Sequence, residues 1–88
     1  MIEVNKVNTG EYKVIIDEGS SKTEHAVALD EEFYQTLTAG TITKEELIRK
    51  SFIFLLAREP KESILSRFNV KVIKRYFPEY EKEIKKGM

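Results

Sequence analysis

Three segments near the start of the chain largely alternate between hydrophobic and polar residues. They cover residues 2–6, 11–17 and 23–29, and the runs between them contain Gly10 and Gly19 with Asn, Thr and Ser, which favour turns. A period of two places one side of each segment in a core and the other in solvent. The pattern therefore predicts a three-stranded antiparallel β-meander over residues 1–29, with one buried face.

The spacing of hydrophobic residues changes at residue 30, where the first helix is predicted. Asp30 can cap this helix, and the acidic residues Glu31 and Glu32 suit the positive end of the helix dipole. Gly40 is a natural stop for so short an element, because glycine readily adopts the left-handed conformation that ends many helices.

The central helix is the most strongly marked element of the sequence. Thr43 and Glu46 have the spacing of a capping box, in which each side chain accepts a hydrogen bond from a backbone N–H group of the other. Pro60 disfavours helical conformation in the residue before it, so we predict a helix from Lys44 to about Glu59. Residues 52–57 are apolar nearly all round, which predicts burial on several sides.

The remainder of the chain is predicted to form shorter helices. Ile64, Leu65 and Phe68 indicate one helix, Asn69 can cap another, and residues 79–86 indicate a terminal one. The complete prediction is an α+β fold in one small domain, residues 1–88. Residues 1–29 form the β-meander, and residues 30–88 form a helical part of about four helices packed on it.

The composition excludes several kinds of chemistry. Hydrophobic residues make up 41% and charged residues 34%, with 15 bases and 15 acids, a balance that argues against disorder and against coating of nucleic acid by bulk charge. The absence of Cys excludes disulfides and thiolate chemistry. The longest apolar run, residues 52–57, is too short to span a membrane, and no signal peptide is apparent. A cytoplasmic location without membrane association is expected.

The residues that most often carry catalysis do not form a recognisable set. His25 is the only imidazole, and it lies on the same side of its predicted strand as Val27 and Leu29, so we expect a structural role. The acidic residues 30–32 can hold a hard cation, but helix capping explains them more simply. No serine lies in a nucleophile elbow, and the single glycines form no phosphate loop. We therefore predict no catalytic residue, no metal or cofactor and no enzyme activity.

Charge is segregated along the chain although the total is zero. Residues 1–43 hold eight acids and three bases, a net charge of −5, and residues 44–88 hold twelve bases and seven acids, a net charge of +5. Arg67, Lys71, Lys74 and Arg75 form one basic stripe if a helix continues across Asn69. This stripe is the candidate surface for phosphates or an acidic partner, and its alternative role is that of a solvated outer helix face.

Residues 25–59 resemble a ribbon-helix-helix repressor of the MetJ and Arc type. The shared order is a strand from His25, a short helix after Asp30, a turn with glycine and the capped helix after Thr43. The resemblance implies an obligate dimer whose paired strands enter the major groove of DNA. Here the groove-facing residues are Glu24, Ala26 and Ala28, where that family has Lys, Arg, Thr, Asn or Gln, and two upstream strands are additional.

Residues 58–80 are also similar to a group of short microbial proteins that are uncharacterised. The similarity rests on the runs Arg58-Glu59-Pro60-Lys61 and Arg75-Tyr76-Phe77-Pro78. It implies a stand-alone soluble protein of similar length and brings no activity with it.

The sequence predicts a small non-catalytic module that binds a macromolecule. The chain combines an apolar central helix with segregated charge and lacks site chemistry, so we expect a protein partner or self-association first. DNA binding by a regulator of the ribbon-helix-helix kind is the alternative. No small-molecule substrate is expected.

Overall fold

The structure is a computed structural model that describes residues 1–88, and its α+β class confirms the prediction. The elements in chain order are β1 (Ile2–Asn8), β2 (Glu11–Asp17), β3 (Lys22–Ala28), α1 (Glu31–Thr38), α2 (Lys44–Leu56), β4 (Arg67–Asn69), α3 (Ile73–Tyr76) and α4 (Tyr80–Lys86). Two short 3-10 turns, Lys61–Ser63 and Val70–Val72, precede β4 and α3 respectively. No helix is long and apolar enough to cross a bilayer.

The first three strands form the antiparallel arrangement that the alternating pattern predicts. Val14 of β2 lies opposite Val4 of β1 and His25 of β3, so their side chains share one face. Val14 and His25 are buried on that face. Gly10 and Gly19 each have a φ of 89°, a left-handed conformation that explains the use of glycine in both turns.

The sheet contains a fourth strand that the sequence did not predict. β4 runs parallel to β3, with Ala26 opposite Arg67 and Val27 opposite Phe68, in a sheet of order β1-β2-β3-β4. The sheet is therefore mixed, and the expectation of a purely three-stranded antiparallel meander is corrected.

The helix predicted around residues 64–68 is correspondingly wrong. The outer edge of β3 has backbone groups that need partners, and the Ala26 amide donates to the Ser66 carbonyl at 2.8 Å. The short apolar run that contains Leu65 and Phe68 fits a strand as well as a helix, so pairing with that edge decides its conformation.

The start of α2 confirms the predicted capping box. The Thr43 hydroxyl accepts from the Glu46 amide at 3.0 Å, and the Glu46 carboxylate accepts from the Thr43 amide at 2.9 Å. The helix ends at Leu56, before the expected Glu59, and Ile53 is exposed although its neighbours Phe52 and Phe54 are buried. The apolar part is thus buried on most sides but not all.

Asp30 occupies the cap position of α1 but does not perform the predicted capping. Its side chain makes no hydrogen bond to the helix and instead accepts from Asn69 Nδ2 at 3.2 Å and pairs with Lys71 Nζ at 2.9 Å. The Lys71 ammonium lowers the pKa of Asp30. The carboxylate therefore joins the start of α1 to the end of β4.

A buried pair of hydroxyl groups connects α4 to α2. Tyr80 Oη lies 2.6 Å from Ser51 Oγ, and Ser51 donates its single hydrogen to the Leu47 carbonyl at 2.8 Å. Tyr80 must therefore be the donor in the first bond. The phenol is completely buried, and this desolvation raises the pKa of Tyr80 to about 12.

We predict that Tyr80→Phe lowers the free energy of unfolding by about 1 kcal/mol at neutral pH, because one buried hydrogen bond is lost. The folded-state pKa of Tyr80 is raised, so the contribution of its neutral form is complete below pH 10 and is lost as the pH rises toward 12. Between these pH values the wild-type chain should lose roughly 2 kcal/mol more stability than the variant.

Urea titrations followed by circular dichroism at pH 8, 10, 11 and 12 measure this difference. The matched control is Tyr76→Phe, which changes an exposed phenol in the same chain and should follow the wild-type profile. Identical alkaline losses in wild type and Tyr80→Phe would exclude Tyr80 as the cause.

Candidate functional site

The four basic residues predicted to form a stripe do not share one helix. Arg67 lies in β4, Lys71 in the 3-10 turn Val70–Val72, and Lys74 and Arg75 in α3. The condition of a continuous helix across Asn69 is not met: Asn69 has extended backbone, and its side chain accepts from the Lys71 amide at 3.1 Å and caps the turn that follows.

Two of these bases are paired within the molecule. Lys71 contacts Asp30, and Lys74 Nζ lies 3.6 Å from a carboxylate oxygen of Glu81. Lys74 also lies over the ring of Phe33, 5.7 Å from its centroid. These contacts reduce the positive charge that the predicted surface offers to a partner.

Ion pairs between the acidic and basic halves of the sequence recur elsewhere in the fold. Glu31 pairs with Lys44 at 2.5 Å, and Glu18 pairs with Lys61 at 2.7 Å. The Lys44 ammonium lowers the pKa of Glu31, and the Glu18 carboxylate raises the pKa of Lys61. The charge segregation of the sequence is therefore partly neutralised inside the folded chain.

His25 holds the segment that precedes β4. The imidazole is buried; its Nδ1 lies 2.8 Å from the Leu65 carbonyl and its Nε2 lies 2.9 Å from the Thr23 hydroxyl. A carbonyl only accepts, so Nδ1 carries the proton in this contact. The sequence predicted that His25 lies on the buried face, but it gave no sign of the bond to Leu65.

Lys61 fixes the beginning of the segment that precedes β4, residues 61–66. Its side chain is only 3% exposed, and Nζ lies 2.7 Å from Glu18 Oε1, from Ser21 Oγ and from Glu62 Oε2. Glu18 and Ser21 belong to the turn between β2 and β3. The ammonium therefore ties that turn to the chain that leaves α2.

An apolar groove of about 430 Å³ lies between the end of α2, residues 63–68 and the Val72–Phe77 segment. Eight of its ten lining residues are hydrophobic. Leu55, Ile64 and Ile73 are nearly fully buried and form its floor, whereas Leu65 and Tyr76 are 52% and 68% exposed. Hydrophobic side chains at this degree of exposure are the part of the surface most available to a partner.

Aromatic packing supports the groove from behind. Phe77 lines it and meets the ring of Phe54 edge to face, with centroids 5.7 Å apart. Phe54 is covered in turn by the Arg58 guanidinium, 3.6 Å from the ring centroid, and Arg58 Nε donates to Glu79 at 3.0 Å. This side of the groove is thus held by a cation–π contact and an ion pair.

Glu59 is the single charged residue that lines the groove, and Ser63 is the other polar one. Glu59 is half-buried and takes part in no ion pair or side-chain hydrogen bond of the molecule. The arrangement can therefore hold an apolar group beside a cation or a hydrogen-bond donor.

Sequence reasoning missed this groove. Its residues come from α2, β4, α3 and the turns between them, and the pattern indicated only a helix for Ile64, Leu65 and Phe68. No local signal in the sequence indicates that Glu59 lacks an ion-pair partner. This property depends on the contacts that the neighbouring bases Arg58 and Lys61 make in the folded chain.

A second hollow of about 610 Å³ lies along β2, β3 and β4 and includes Ala26, Ala28 and Arg67. Lys13 and Glu24, which also line it, pair with each other at 3.3 Å. β3 is paired on both edges, with β2 and with β4. In a ribbon-helix-helix dimer this strand pairs with its copy, and here β4 occupies the outer edge of β3 at Ala26, Val27 and Ala28.

Comparisons with protein-family models, with curated proteins and with solved structures found no significant match to this chain.

We predict that His25→Leu lowers the free energy of unfolding by about 1–3 kcal/mol, because the Leu65 carbonyl loses its partner in a partly buried place. The substitution should increase the rate of amide hydrogen exchange in β4 more than it does in β1. Thr23→Val is the matched control: it removes only the other bond of the imidazole and should cost about 1 kcal/mol or less. Equal losses in both variants would contradict the role of the Leu65 bond.

We also predict that Lys61→Met lowers the melting temperature, because three hydrogen bonds to the buried ammonium are lost and the β2–β3 turn is released. Lys82→Met provides the control, since Lys82 is exposed and has no partner among the ion pairs. Thermal melts followed by circular dichroism compare the two variants. A change in melting temperature of the same size in both would argue against a stabilising role of the Lys61 ammonium.

Proposed function

We propose that this protein is a small non-catalytic interaction module that binds another protein through the apolar groove. The observation that carries the proposal is the exposure of Leu65 and Tyr76 around a floor of buried aliphatic residues. Protein interfaces have hydrophobic centres with polar rims, and tyrosine is enriched among the residues that contribute most to binding. A cytoplasmic location is part of the proposal, because the chain contains no cysteine.

The distribution of charge favours a protein partner over nucleic acid. Binding to a phosphate backbone depends on several converging cations. Here Arg67 and Arg75 lie on different elements, and Lys71 and Lys74 are paired with carboxylates. The occupation of the outer edge of β3 by β4 at Ala26, Val27 and Ala28 gives no support to DNA binding of the ribbon-helix-helix kind.

The lining of the groove favours binding over catalysis. Its polar side-chain groups are the Glu59 carboxylate and the hydroxyls of Ser63 and Tyr76, and the imidazole of His25 is engaged at both nitrogens by Leu65 and Thr23. A general base needs a free lone pair within reach of a substrate proton. We therefore propose no catalytic residue and no cofactor.

Site-specific photo-crosslinking in the native cells tests the proposal. With benzoylphenylalanine in place of Tyr76, we expect an adduct with one defined protein, identified by mass spectrometry. The second variant Leu65→Glu should reduce this adduct at least tenfold, because burial of its charge in an apolar contact is unfavourable.

The same photoreactive residue at Lys82, an exposed position in α4, is the positional control. No adduct at position 76, or the same adducts from both positions, would overturn the proposal. An adduct of twice the chain mass would identify self-association instead of a separate partner.

A further inference from the structure

We infer that the segment that docks in the groove carries a lysine or arginine beside its apolar anchor, and that Glu59 receives this cation. The inference rests on the proposed function and names the chemistry of the partner at that same site. It identifies Glu59 as the residue that determines specificity within an otherwise apolar surface.

The first step of the argument is that Glu59 has no cation of its own. The two bases nearest to it in the chain are both engaged elsewhere. Arg58 donates to Glu79 and to the Phe54 carbonyl at 3.1 Å, and Lys61 is surrounded by its three acceptors. The fold therefore leaves the Glu59 carboxylate to water on the open side of the groove.

The second step is the cost of covering that carboxylate. An apolar segment that fills the groove displaces water from the half-buried Glu59, and a carboxylate that loses water without a replacement partner is strongly disfavoured. A basic group in the segment offsets this loss with a charge-assisted hydrogen bond. A purely apolar or acidic segment has no such compensation.

The third step sets the spacing in the partner. Glu59 and Leu55 both line the groove, and just beyond the end of α2 the Glu59 amide donates to the Leu55 carbonyl at 2.9 Å, so the cation and the apolar contact of the partner must also lie close together. A helical partner meets this spacing with an anchor and a base three or four residues apart. An extended partner meets it with a separation of two residues.

Selection of phage-displayed random 12-residue peptides on the intact protein tests the inference. We expect enriched peptides to combine a large apolar residue with Lys or Arg within four positions. The affinity of a synthetic copy of the best peptide is then measured by fluorescence anisotropy. Glu59→Gln should weaken its binding by about 3- to 10-fold.

A charge exchange gives the sharper result. The Glu59→Lys variant should not bind the basic peptide. Its affinity for an acidic version of that peptide, in which the base is replaced by Glu, should be higher than the affinity of the wild-type protein for the acidic version. Glu32→Gln, which changes an exposed carboxylate in α1, should leave both affinities unchanged. Circular dichroism of each variant checks that the fold is retained.

The outcomes separate the inference from the proposed function. Peptides that bind without enrichment of bases, or that bind Glu59→Gln as tightly as wild type, overturn the inference and leave the groove as a binding site. An absence of selected peptides together with no crosslink at Tyr76 overturns both. A dimer in light scattering that Leu65→Glu dissociates and Glu59→Gln leaves intact overturns the inference in favour of a second copy that uses only the apolar contact.

Discussion

The pairing of β4 with the outer edge of β3 is the interaction on which the candidate site depends. Three residue pairs align the two strands, and the Ala26 amide reaches the Ser66 carbonyl just before β4. Unpaired backbone groups at a sheet edge are costly when buried, so this short strand supplies what the edge of β3 needs. His25 and Lys61 fix the approach to β4 from two sides. The floor and one wall of the groove follow from this placement.

Local signals predicted the elements that depend on near neighbours. The β-meander follows from a period of two with glycine turns, and the start of α2 follows from Thr43 and Glu46. β4 has no comparable signal, because its three residues take their conformation from a partner strand far back in the chain. The groove and Glu59 depend on several elements at once, so neither could be predicted from local pattern. The basic stripe was conditional on a continuous helix across Asn69, and the extended backbone of Asn69 interrupts that helix.

Charges that are segregated along the sequence are brought together as ion pairs in the fold. The excess of acids in the first half and of bases in the second is partly used to join the halves, through the pairs Glu18–Lys61, Asp30–Lys71 and Glu31–Lys44. The pairs Asp30–Lys71 and Glu31–Lys44 are partly exposed and contribute little stability individually, whereas the Lys61 side chain is buried. The role of each charged residue therefore depends on which side chains surround it and on whether an ion-pair partner is within reach. Glu59 stands out because its neighbours are apolar and its nearest bases are occupied.

The parallel register of β4 also bears on how the chain reaches its native state. Contact between Ala26 and Arg67 closes a loop of about forty residues, whereas the meander and α2 form from neighbouring segments. The entropy cost of closing this loop precedes the contacts that offset it, so we expect the groove to assemble after the meander and α2. Until then the edge of β3 and the side chains of Ile64 and Phe68 stay accessible to other nascent chains. The period during which misassembly can occur therefore ends when the three-residue strand β4 pairs with β3.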